Sequence, residues 1–192
     1  MYSRIRFLSG AALLATSCAV IAGGDGVLRE QVLTALAKQP QKHFHFVQEK
    51  KLAVLDKPLV TEGELQIAGE QDVIWDIRKP YAIRYDIHGG KIRETDDSGE
   101  HVTDANSNPL AAALQEAMGA ALSGHWQNRE DLASVAASGT LASWQLHITP
   151  RNADLQKLVQ TIDVDGDNGV IHQVLIHESN GDTTVIHLQA MP

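Results

Sequence analysis

Between residues 73 and 87 the chain VIWDIRKPYAIRYDI alternates apolar and polar side chains: Val73, Trp75 and Ile77 share one side of an extended segment, and Tyr81, Ile83, Tyr85 and Ile87 share one side of the next. Asp76, Arg78, Arg84 and Asp86 take the positions between. Successive side chains of a strand point to opposite faces, so the pattern predicts a hairpin turning at Lys79-Pro80, apolar on one face and wet on the other. Comparable runs predict strands at 43–55 and 59–68 before it, and short polar strands at 91–96 and 100–103 after it, joined by the DSG turn at 97–99. Four more follow at 141–149, 159–166, 170–178 and 183–190, with turns in DGDNG and SNGD.

Two segments carry a helical period instead. From Asp25 to Gln39, Leu28, Val32, Leu33 and Leu36 fall on one helix face before Pro40 stops it. From Pro109 to Gly124, Leu110, Leu114, Met118 and Leu122 make the apolar stripe of a second, alanine-rich helix. NREDLASVAA, at 128–137, reads as a third helical segment. Ten or eleven antiparallel strands with two or three helices and no repeat period imply an α+β fold, a large curved sheet with helices packed on one face.

Residues 1–22 have two arginines, then an apolar run from Phe7 to about Ala15, then small residues up to Val20-Ile21-Ala22. That order predicts a secretory leader cleaved after Ala22, too short and too rich in small residues for a membrane span. Cys18, the one cysteine, falls inside it, and Ala15 stands where a lipobox has leucine. The exported chain is therefore expected to be thiol-free and unlipidated. Residues 23–192 are sized for a single domain. Without Arg4 and Arg6 they hold 14 basic and 24 acidic residues, a formal charge of −10, which is the wrong sign for a nucleic-acid binder.

Candidate chemistry is sparse. DVDGDNG (163–169) has acids at calcium-loop spacing, but Asn168 replaces the glycine and Val174 the glutamate that such a loop needs, so its acids are read as serving a tight turn. Nine histidines include His43 and His45, one residue apart, yet no further ligand accompanies them at metal-site spacing. No nucleophile elbow, phosphate loop or Cys/His pair is present, so neither an enzyme nor a metal or cofactor protein is expected. What remains is the long apolar face of Leu65, Ile67, Val73, Trp75, Ile77, Ile83, Tyr85 and Ile87. It is either a filled core or the wall of a cavity.

The ordered series F-x-F-x-Q at 44–48, Gly63-Glu64-Leu65, Trp75 followed by Pro80, Trp144-x-Leu146 leading into Thr149-Pro150, and Gly181-Asp182 before the last strand resembles the LolA-type periplasmic lipoprotein carriers over essentially the whole exported chain. The resemblance implies an incomplete antiparallel β-barrel of about eleven strands with a lid of two or three helices. It also implies a non-enzymatic, monomeric carrier in the periplasm that shields acyl chains of a lipoprotein or other lipid. Its partners would be an inner-membrane loading complex and an outer-membrane acceptor. Leu65, Ile67, Val73, Trp75, Ile77, Ile83 and Tyr85 would then line the lipid cavity, and Leu110, Leu114 and Met118 would face it from the lid. The chain departs from the standard carriers at Gly69, where they have an arginine that latches the lid, in the absence of aromatics from KIRETDDSGE, and in the lack of room for an extra strand after Pro192. These departures resemble a divergent branch. The alternative is a non-transporting envelope structural or interaction module with a filled β core.

Overall fold

The computed structural model describes residues 24–38, 41–68, 72–88, 91–104 and 131–192. The predicted leader, Gly69 and the predicted helix at 109–124, with Leu110, Leu114 and Met118, lie outside the described residues. Helix α1 (Gly24–Ala37) precedes six strands: β1 (Gln41–Lys51), β2 (Leu59–Ala68), β3 (Asp72–Lys79), β4 (Ile83–His88), β5 (Lys91–Asp96) and β6 (Gly99–Asp104). After the undescribed stretch come β7 (Ala133–Thr140), β8 (Ser143–Pro150), a one-turn helix α2 (Ala153–Gln156), β9 (Val159–Asp167), β10 (Val170–Glu178) and β11 (Thr183–Ala190).

All eleven strands form one antiparallel sheet in the order β6-β5-β4-β3-β2-β1-β11-β10-β9-β8-β7. Two meanders are thus joined by the pairing of the first strand with the last, where Phe44 faces Ala190 and Phe46 faces Leu188. The sheet is open between β6 and β7. Because strand side chains alternate, the pairings carry a single apolar face from β7 across the sheet to β4. It runs from Ala137 and Leu146 through Val164, Val174 and Ile186 to Phe46 and Leu65. Helix α1 lies against β7 and adds Val32, Leu33 and Leu36 to the core, with Leu28 packed against it.

Two glycines allow this face to close up. At Gly166 a Cβ would run into the indole of Trp144, a buried ring whose Nε1–H donates to the Asn168 carbonyl at 3.3 Å. At Gly63 it would run into the Asp76 backbone carbonyl, beside an irregularity in the β2–β3 register. Both are sites of close backbone or ring approach, which only glycine tolerates.

Several sequence expectations are corrected. The segment 128–137 was expected to be helical, yet Ala133–Thr140 is strand β7. Ala133 and Ala137, four apart, satisfy a helical period, but the same spacing is even and puts both on the inner face of a strand. Ser138, Gly139 and Thr140 then favour extension over helix. Tyr81 belongs to the turn between β3 and β4 and is 75% exposed. The first strand stops at Lys51 rather than Leu55, where a tight turn closes with the Leu55 N–H donating to the Leu52 carbonyl. Asp163 and Asp165 are outward residues of β9 rather than turn residues, and they meet His147 and Gln145 of β8. The turn itself is made by Asn168, at φ 47°, and Gly169.

Candidate functional site

Strands β2, β3 and β4 set their inward residues in cross-strand rows. Leu65, Trp75 and Tyr85 face one another in one row, Ile67, Val73 and Ile87 in the next, and Gly63, Ile77 and Ile83 in a third. All seven candidates of the β2–β4 region therefore share one face. Their burial is graded along it. Leu65, Ile67 and Val73 are buried with the core, whereas Trp75, Ile77, Ile83 and Tyr85 are half-buried. The Trp75 ring packs edge-on against Phe46, with centroids 5.2 Å apart and planes at 63°, a favourable aromatic arrangement.

Beyond Tyr85 the face turns acidic, because Glu94 of β5 stands opposite Tyr85. Burial, and then the negative charges of Glu94 and Asp96, push the Tyr85 phenol up. That phenol therefore stays neutral, with a polar tip at the border between apolar wall and wet edge.

A cleft of about 640 Å³ opens at the rim where β1 and β3 begin and β2 and β4 end. Ile67, Val73 and Ile87 form its apolar wall, and Lys42, His88 and Met191 are among its other walls. Of the predicted residues only Ile67 and Val73 border this cleft; Leu65 is sealed into the core beneath the sheet.

Sequence reasoning missed Lys42. It faces Ile67 across the β1–β2 pair, is 6% exposed, and burial pulls its ammonium down to about 8. The signal was present in KHFHF, where Lys42 shares the parity of Phe44 and Phe46.

The opposite face is wet and ion-paired. Glu64 accepts from His43 at 3.1 Å and from Arg78 at 2.6 Å, and these partners hold its carboxyl below the usual range, His43 first. Other histidines also meet one carboxylate each, His147 with Asp163 at 2.6 Å and His172 with Asp167 at 2.8 Å. Among the described residues no three His, Cys, Asp or Glu side chains gather as metal ligands would. None of the described helices is long and apolar enough to cross a membrane.

An open antiparallel sheet with an apolar inner face is the geometry, and its family follows from the family model that the sequence matches. Residues 21–189 match the family described as outer membrane lipoprotein carrier protein LolA-like. The chain belongs to the LolA-like family. Among solved structures, the LolA superfamily protein NE2245 from Nitrosomonas europaea is similar at a TM-score of 0.50 and 8% identity, over 86% of this chain and 91% of that one. LprF from Mycobacterium bovis aligns at a TM-score of 0.38 and 11% identity, over 87% and 94% of the two chains. No curated protein matches the sequence. At such identities the NE2245 likeness concerns the fold, an eleven-stranded open sheet with few helices, as the resemblance implied.

Proposed function

We propose that this LolA-like chain is a periplasmic carrier that shields acyl chains of a lipoprotein or other lipid between the inner and outer membranes. The observation that carries the reading is the burial gradient along one continuous face. Leu146 and Val164 are fully sealed, while Trp75, Ile77, Ile83 and Tyr85, in register on neighbouring strands, keep part of their surface uncovered. Apolar side chains aligned in rows and left half-open are a surface awaiting an apolar guest.

Each methylene moved out of water contributes about 0.8 kcal/mol, so a chain of ~16 carbons exposes on the order of 12 kcal/mol in water. Transfer from a bilayer into an apolar cavity is nearly neutral by comparison. The carrier needs no catalysis. It needs a loading complex and an acceptor that binds the cargo better, and a lid of leucine and methionine such as Leu110, Leu114 and Met118 would cover the wall between the two steps.

The rival reading, a non-transporting module, has its own support in the continuous buried cluster that runs from α1 through β7–β11, β1 and β2 to Val73 of β3. Mass spectrometry of lipids extracted from protein purified out of the native envelope separates the two. A carrier brings down acyl lipid in near-stoichiometric amount, and a filled module brings down none above the level of a control envelope protein.

A further inference from the structure

The rim opposite the Lys42 cleft has a different character. There β1 and β3 end and β2, β4 and β9 begin, so the loop 52–58, the β3–β4 turn and the start of β9 come to one end of the sheet. Of nine large apolar side chains exposed among the described residues, six lie on this rim: Val54, Leu55, Leu59, Val60, Tyr81 and Leu158. Val54 alone is 88% exposed. So concentrated a set is more than the scattered apolar exposure any surface shows.

The loop is built, not loose. The Ala53 N–H donates to Asp182 Oδ1 at 2.8 Å, and that aspartate is buried and held in turn by Asn180 at 2.9 Å. Next to it, the Ser179 N–H ties the β10–β11 turn to the Leu158 carbonyl at 2.8 Å. Buried polar anchors thus fix a backbone whose valine and leucine side chains stand in water.

Charges of both signs meet on the same rim, where Asp56, Glu62, Asp96, Asp97, Asp154 and Glu178 lie. Five of the chain's eight lysines are there: Lys50, Lys51, Lys57, Lys79 and Lys157. Three are matched by carboxylates, Glu178, Glu62 and Asp154 respectively. Lys51 and Lys57, which flank the apolar loop, form no ion pair among the described residues. Residues 50–60 hold three lysines and one aspartate in a chain whose formal charge is −8.

We propose that this rim docks on an anionic lipid bilayer, with Val54, Leu55 and Tyr81 entering the headgroup region while Lys51 and Lys57 pair with lipid phosphates. The composition is that of an interfacial anchor: aliphatic side chains, an amphipathic ring, and lysines whose stems let the ammonium stay at headgroup depth. An acidic protein as a whole is repelled by such a surface, so the excess of lysine in residues 50–60 favours approach by the loop that holds it. The inference goes beyond the carrier reading and does not require any cargo.

Co-sedimentation tests it, using natively produced protein and vesicles of phosphatidylethanolamine and phosphatidylglycerol in equal parts, against vesicles of phosphatidylcholine. The wild type binds the anionic vesicles more tightly, and the preference shrinks with added salt. Val54→Glu with Leu55→Glu, exposed changes that leave the circular dichroism spectrum intact, lowers binding at least about tenfold. Lys51→Glu with Lys57→Glu abolishes the preference, by about fivefold or more per lysine. If the wild type ignores both kinds of vesicle, or if both paired variants bind as it does, the rim is not a bilayer dock and its apolar side chains belong to a protein contact instead.

Discussion

Lys42 occupies a position that alternation assigns to a hydrophobe, between the core and the cleft, and burial pulls its ammonium from 10.5 down to about 8. Between those values the unfolded chain keeps the proton that the folded one has released, so stability gains from rising pH across this window. Lys42→Met removes that gain. Urea unfolding of both forms should show the wild type catching up on the variant from pH 8 to pH 10.5, by up to about 3 kcal/mol. A difference that stays flat across that range contradicts the account of Lys42. Glu64 behaves oppositely: its carboxyl is depressed, so the stability it contributes is present at neutral pH and is lost as the pH falls below the ordinary carboxylate range through its folded value.

At the scale of elements, α2 shows what a short segment depends on. Asn152 accepts from the Asp154 and Leu155 N–H groups at 2.9 and 3.2 Å, and the turn it starts drives Leu155 into the interior. Asn152→Ala should cost about 1 kcal/mol in thermal unfolding while leaving the strands' far-ultraviolet signal unchanged; an unaltered melting temperature would mean that the cap adds nothing. The hairpin strands were legible because the period-2 alternation of VIWDIRKPYAIRYDI leaves no helical alternative, whereas VIHQVLIHE, whose register shifts between Ile171 and Gln173, was legible from its β-branched residues and the turns on either side. Strand β7 was not, since alanine and serine carry little periodic contrast and Ala133 and Ala137 fit both periods. A four-residue helix such as α2 is too short for any period to register. Likewise the outward Asp163 and Asp165 looked like turn acids only because Gly166 and Asn168 follow them; the glycine is there for Trp144.

For the molecule as a whole, the pairing of β1 with β11 converts two meanders into one sheet, and it is this long-range contact that no local pattern announces. The alternation identified which residues share the inner face, and the register places them in rows. How far each is covered is set by tertiary packing, so sequence could name Leu65 and Trp75 as facing inward without telling that one is sealed and the other half-open. The seven candidates of β2–β4 share the face as read, while Lys42 at its end and the acidic border at Glu94 were not anticipated.

The central claim is that the half-open part of this face receives acyl chains, and Trp75→Glu tests it most directly. In a filled core the carboxylate would be buried without a partner beside lost packing, which destabilises a domain by several kcal/mol. In a cavity that admits water when empty, the carboxylate stays hydrated and the fold survives. Thermal unfolding and titration with a fluorescent fatty acid, measured together on wild type and variant, give both readouts. The carrier account predicts a wild type that binds the probe and a folded variant that binds it at least about tenfold more weakly. A folded variant that binds as well as the wild type, or a variant that unfolds while the wild type binds no probe, contradicts it.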